Sequence, residues 1–215
     1  MSPRPIIAAA ASLLLAGCIT VGLGGSDSAS LTTYTLSATR PPAEPVPPVN
    51  WQLVVDKPSA AKALASNRIV VMPRAHVLNV YEGAQWSDRT PEMLQTLLIQ
   101  GLEASGSITA VDRPVSGLRG DYTLVSEVRA FQAEYGDDGP PEVHVSLSLR
   151  LLQPARNRIL AATTVTARQP ARATDIASVV RAFDRATASV IAEAVAWTLE
   201  SGEANRHSGP PEPWR

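Results

Sequence analysis

Cysteine is all but missing from this sequence: Cys18 is the only one in 215 residues. A single cysteine excludes a disulfide framework within the chain. Histidine is nearly as scarce, and His76, His144 and His207 stand too far apart to give, with one cysteine, the ligand spacing of a zinc site. A surplus of charge of either sign is absent too, with 19 Lys+Arg against 20 Asp+Glu and a pI of about 6.3. A nucleic-acid binder needs a basic surplus, so that class is set aside. No nucleophile elbow, phosphate loop or metalloprotease helix occurs. Asp137-Asp138 comes nearest to a catalytic carboxylate pair, but Gly136, Gly139, Pro140 and Pro141 around it spell a turn. Carboxylates at a solvated turn lack the burial that tunes an acid for catalysis. The chain is expected to be no enzyme and to hold no metal and no cofactor.

A hydrophobic run long enough to cross a bilayer is also lacking. The longest apolar stretch, Ile6 to Ala16, would span roughly 16 Å as a helix, against about 30 Å of hydrocarbon. With the amine of Met1 and Arg4 before it, it reads as the apolar region of a secretory signal. Leu15-Ala16-Gly17-Cys18 closes it, and this order resembles the bacterial lipoprotein processing box. The resemblance implies cleavage between Gly17 and Cys18, a diacylglycerol on the Cys18 sulfur and an acyl chain, palmitate-like, on its new amine. At about 0.8 kcal/mol per buried CH₂, two or three chains anchor a protein essentially for good. Ile19 stands where many lipoproteins retained in the inner membrane carry Asp, so the outer membrane, facing the periplasm, is the expected destination.

The chain divides into four regions. Residues 1–17 are the signal peptide, 18–30 a flexible tether rich in Gly and Ser, 31–202 a single domain, and 203–215 a disordered tail. The tether reaches roughly 20 Å on average and at most about 43 Å, which keeps the domain near its membrane. About 198 residues remain after the signal, enough for one ordinary domain with a sizeable core.

Within the domain, Leu31–Ser37 and Trp51–Asp56 read as short strands, separated by a Pro-rich connector at 41–48. Ser59–Ser66 reads as a helical turn, Arg68–Met72 as a buried strand stopped by Pro73, and Val77–Tyr81 as another strand. Glu82–Asp88 is then a loop holding Trp86. Thr90-Pro91-Glu92 announces a helix, with Thr90 as its capping hydroxyl and Met93, Leu94, Leu97, Leu98 and Leu102 as its apolar stripe. Ile108–Val111 comes next as a short strand. Strands from Tyr122 to about Glu134, around Val143–Leu151 and from Ile159 to Arg168 form an antiparallel meander. Tyr122, Leu124, Val128 and Ala130 are assigned to one face of the first of these. A long helix capped at Thr174-Asp175 and stopped by Gly202, roughly 38 Å long, is matched to lie along the meander. The expected fold is therefore α+β, a mostly antiparallel sheet packed by two amphipathic helices. Trp86 and Tyr81 are the candidates for a partner contact, because loop aromatics often anchor interfaces, although Trp86 packed against the first helix is the more economical arrangement.

Cys18, Tyr34-x-Leu36, Val55 and Pro58 before Arg68-Ile69-Val70, Trp86 ahead of Pro91 and Leu94/Leu98, Tyr122-x-Leu124 to Phe131, and the final amphipathic helix together resemble the ABC-type transport auxiliary lipoproteins, the paraquat-inducible-protein-C-like family. That resemblance implies a non-enzymatic component of a system that moves phospholipid or other hydrophobic molecules across the envelope. The implied partners are a periplasmic protein with an MCE (mammalian-cell-entry type) domain and its ABC permease and ATPase. Homo-oligomerisation is left open. A stand-alone envelope assembly or structural lipoprotein, and a small lipid-binding carrier, are the alternative functions. The Pro-rich insert at 41–48 and the extended segment Val77–Gln85 depart from the family pattern.

Overall fold

The computed structural model describes residues 31–37, 47–114, 117 and 119–206. The signal peptide, Cys18 and its tether, most of the Pro-rich insert and the residues after Arg206 lie outside the described residues. In chain order the strands are β1 (Thr32–Tyr34), β2 (Leu53–Val55), β3 (Ser59–Ala60), β4 (Arg68–Arg74), β5 (Val77–Trp86), β6 (Val111–Asp112), β7 (Tyr122–Glu134), β8 (Glu142–Gln153) and β9 (Arg158–Pro170). The helices are α1 (Thr90–Ala104) and α2 (Ile176–Arg206).

β7 is the spine of the sheet. One of its edges pairs antiparallel with β8 from end to end, and β9 continues the meander beyond β8. Its other edge takes β2, β3 and β4 in succession, all parallel, at Leu53↔Tyr122, Ser59↔Glu127 and Val71↔Ala133. β5 folds back antiparallel on β4, β1 joins the end of β5 in parallel, and β6 joins β2 in parallel. The fold is thus α+β with a large, mostly antiparallel, open sheet and two helices, as the periodicities predict. The short parallel ladders are not readable from sequence, because two or three residues leave no pattern of their own.

The alternation in β8 translates directly into burial. Val143, Val145, Leu147, Leu149 and Leu151 have no solvent exposure, while His144, Ser148 and Arg150 on the other face stay half-buried. In β7 the pattern shifts. Val128 faces Leu147 but Ala130 faces Ser146, so Arg129 is an extra residue in the ladder. A β-bulge of one residue reverses the side on which later side chains project. Phe131 and Ala133 therefore join Tyr122, Leu124 and Val128 against the helices. Ala130, assigned from sequence to that face, instead turns to the other.

Four further expectations are corrected. Ser59–Ser66 begins with β3 before it turns, because Ser59 and Ala60 pair with β7. Pro73 does not stop β4; it occupies the irregular part of the ladder between Val71 and Arg74, where its missing N–H costs nothing. Thr90 is the first residue of α1 rather than its cap, and its hydroxyl donates to the Ser66 carbonyl at 3.2 Å. Gly202 does not end α2. The helix runs on to Arg206, about 46 Å in all, so the tail assigned from 203 begins helical. At its other end the expected cap is present: the Asp175 carboxylate accepts from the Ser178 N–H at 2.9 Å, and with the Ser178 hydroxyl this holds that carboxyl below the usual range.

α2 lies along β8 and β9, and α1 crosses it. The crossing is close at Gly101, where a Cβ would stand 2.8 Å from Ile191 Cγ2. One continuous apolar core joins both helices to the inward sheet face.

Candidate docking surface

Tyr81 and Trp86 both belong to β5, and the structure sends them different ways. Trp86 is 1% exposed. Its ring meets Phe183 of α2 edge-on at 5.1 Å and Phe131 of β7 at 5.8 Å, and those two phenyl rings are 5.0 Å apart. A surface contact through Trp86 is thereby corrected: Glu82–Asp88 is mostly strand, and Trp86, at the end of β5, points into the core. Its indole Nε1 is buried and makes no hydrogen bond. Tyr81 is half-buried, its hydroxyl 3.1 Å from that of Tyr135, and burial followed by this hydrogen bond pushes its ionisation above the ordinary phenol range.

The surface near Tyr81 has a feature that sequence reasoning missed. β1 covers β5 only at Ala84–Trp86, so among the described residues no strand pairs the outer edge of β5 from Val77 to Gly83. Along that bare stretch Leu78 is 47% exposed and Val80 39%. With Ala63, Val70 and Asn79 they line a notch of about 290 Å³. The alternation Leu78, Asn79, Val80 looks the same in sequence whether the apolar side is covered or bare; only what packs against that face decides it. Open edges are usually blunted by charge, proline or bulges, and exposed apolar residues on one mark a place where another chain adds.

The parallel register of β1 with β5 carries a directional consequence. The chain enters β1 from the end of the sheet where β4 turns into β5 through Ala75 and His76, the latter with φ 66°. Leu31, 48% exposed, precedes β1 at the level of the bare edge. Ile159, the other large apolar residue exposed among the described residues, lies at the opposite end of the sheet.

Beside this region, after the turn from Tyr135 into β8, the outer face carries an ion-pair network. Arg168 donates to Glu134 at 2.9 Å and to Glu142 at 3.1 Å, while His144 Nδ1 lies 3.0 Å from Glu134. Burial alone would raise the Glu134 carboxyl; hydrogen bonds from Arg168, His144 and Gln132 outweigh it and hold the group below its usual range. A depressed carboxylate contributes stability that is present above the unfolded pKa and is lost as pH falls through the folded one. Glu134→Gln is expected to cost about 1 kcal/mol near neutrality, with the gap to wild type closing as the pH falls through and below the usual carboxylate range. Thermal melts from neutrality into acid check it, and a gap that stays constant with pH would refute the assignment.

A family model described as the ABC-type transport auxiliary lipoprotein component matches residues 34–195. A curated uncharacterized protein of Bradyrhizobium diazoefficiens is 25% identical over 176 residues, which are 82% of this chain and 47% of that one. The chain thus spans about half the length of the curated relative it matches. Among solved structures, protein XCC0632 of Xanthomonas campestris is 37% identical, with a TM-score of 0.78 over 81% of this chain and 98% of that one. A second uncharacterized protein, 18% identical with a TM-score of 0.54, covers 84% of this chain and 99% of its own and shares the fold alone.

Proposed function

Because the chain belongs to the family of ABC-type transport auxiliary lipoprotein components, we propose that it works as a lipid-tethered, non-enzymatic docking subunit of an ABC transport system. Its partner in this reading is a periplasmic protein with an MCE domain, served by a permease and ATPase, and the cargo is phospholipid or another hydrophobic molecule. Acyl chains on Cys18 hold the domain to the periplasmic face of the outer membrane. The single observation that carries the docking role is the bare edge of β5 with Leu78 and Val80 exposed along it. Such an edge offers backbone N–H and C=O groups for strand addition and an apolar notch for an alternate side chain of the partner. Its position at the end where the chain enters the domain keeps the contact near the anchored membrane.

The test is affinity capture of the lipidated protein from gently solubilised native envelopes, with mass spectrometry of co-purified proteins and lipids. The wild type is expected to bring down an MCE-domain protein with its permease and ATPase. Leu78→Asp with Val80→Asp is expected to reduce that recovery at least about tenfold, as the loss of one interface anchor does, without unfolding a domain whose core excludes both residues. Cys18→Ala serves as the control for the anchor and should move the domain to the soluble fraction. Recovery of lipid with no transporter would favour an independent carrier, and undiminished capture by the double variant would remove the β5 edge from the interface.

A further inference from the structure

Opposite the β5 edge the sheet ends in β9, which pairs with β8 alone; among the described residues no strand lies against its other side. The ladder to β8 is regular from Leu151↔Ala161 to Glu142↔Pro170. From Ile159 to Ala167 the strand carries no charge, no proline and no glycine, so the devices that keep open edges from pairing are missing. α2 lies over β8 and β9 on the inward face. α1 approaches it at Ile191 and Val195, and the flank of α2 turned away from α1, toward the β9 edge, carries Arg185, Ser189 and Glu193 as one ridge at i, i+4 spacing. Arg185 donates to the Pro170 carbonyl at 3.3 Å, which places this ridge beside the end of β9. Between Arg181 and Glu200 the exposed positions of α2 are Arg181, Arg185, Glu193 and Glu200. The helix surface is therefore basic in its first half and acidic in its second, with the small residues Ala188, Ser189 and Ala192 between.

A surface basic at one end and acidic at the other is complementary to its own reverse. We propose that a second copy of this chain covers this side of the domain, β9 pairing with β9 in antiparallel sense about a two-fold axis beside Ser189. Arg185 and Glu193 stand four positions on either side of Ser189, so the axis sets Arg185 of each copy opposite Glu193 of the other. The spacing also fits. Strands are about 4.8 Å apart, and with α2 centred between β8 and β9 the two α2 axes come to stand two strand spacings apart, roughly 10 Å, the distance at which helices pack. The small side chains between the charges permit that approach. Residues opposed in an antiparallel ladder share a face, so Val165 stays beneath the helices in both copies while Thr164 and Thr166 of both line the outer face. Pairing uses up the β9 edge of both copies and leaves none to propagate. The β5 edge lies on the other side of the sheet and remains free, so the dimer is independent of the transport reading.

Sedimentation of the full-length chain in detergent tests it, with the wild type expected at the mass of two copies. Glu193→Arg and Arg185→Glu should each raise the dimer Kd at least about tenfold, because symmetry turns two attractions into two repulsions at once. Arg185→Glu combined with Glu193→Arg should restore dimerisation. Within one chain the two positions are about 12 Å apart along the helix, so restoration reports a contact between copies. Both are exposed, and unchanged circular dichroism shows that the variants fold. Crosslinking supplies a second readout. Cys18 is the only cysteine, so Ser189→Cys adds one new thiol, whose Cα at the axis stands roughly 5 Å from its copy, within disulfide range. Mild oxidation of native envelopes is expected to link Ser189→Cys chains in pairs and to leave Thr174→Cys chains, whose new thiol is exposed but away from the axis, unlinked. A wild type that sediments as one copy, an assembly of more than two, a double charge swap that restores nothing, or unlinked Ser189→Cys would overturn the proposal.

Discussion

Trp86→Ala is expected to destabilise the domain by about 3–5 kcal/mol, close to the upper range for a core truncation. For a domain of this size that is a fall of roughly 10 °C in Tm. Trp86 joins three elements that are distant in the chain: β5 on which it stands, β7 through Phe131 and α2 through Phe183. Its removal leaves two phenyl rings without their common neighbour, and the backbone cannot close the gap because the Trp86 N–H is fixed to the Asn67 carbonyl at 2.7 Å. Trp86→Phe should cost far less than the lost volume suggests. The indole N–H is buried without an acceptor, a penalty of about 1–3 kcal/mol that phenylalanine does not carry. Calorimetry of the two variants checks both statements; a Phe variant as damaged as the Ala variant would mean that the N–H has an acceptor after all.

Gly202→Val is the second large effect, and its signature is a reversal of sign in the smaller variant. Glycine inside an exposed helix normally costs about 1 kcal/mol relative to alanine, so Gly→Ala is ordinarily a stabilising change. Here a Cβ would collide with Trp51 Cζ2 and stand 2.8 Å from two further atoms of that ring. The indole covers the helix backbone at this point, and Trp51 is itself held edge-on to Tyr122 at 5.1 Å. Gly202→Ala is therefore expected to destabilise by about 1–3 kcal/mol, as overpacking does. Gly202→Val should expel Trp51 and cost more, with red-shifted tryptophan emission and faster exchange at the start of β7. A stabilised Gly202→Ala would show that Trp51 can yield.

Much of this was legible because it is local. The alternation of β8 needs only a period of two, the stripe of α1 only a period near 3.6, and the Asp175 cap only a carboxylate three residues before its N–H donor. The misread places share one cause. Pro73 and Gly202 are breakers by propensity, yet each sits where the tertiary structure makes the breaking property harmless or useful: a gap in a ladder, and a helix surface covered by an indole. Thr90 looks like a cap because nothing in its neighbourhood reveals that its hydroxyl reaches Ser66, 24 positions away. Of the two aromatics singled out on β5, Trp86 is in the core and Tyr81 is half-buried, because the side on which each projects is set by the pairing of β5 and not by residue type.

What the sequence determined by itself is the exclusion of a disulfide framework within the chain and the order and kind of the main elements. Each depends on residue type and short-range spacing. Which face of each element is covered was decided only in three dimensions. The bulge at Arg129 swaps the faces of Ala130 and Phe131, three strands share one edge of β7, and Leu78 and Val80 stay exposed on β5 where β1 does not reach. Burial is a property of what lies opposite, and what lies opposite is set by pairing across distant parts of the chain.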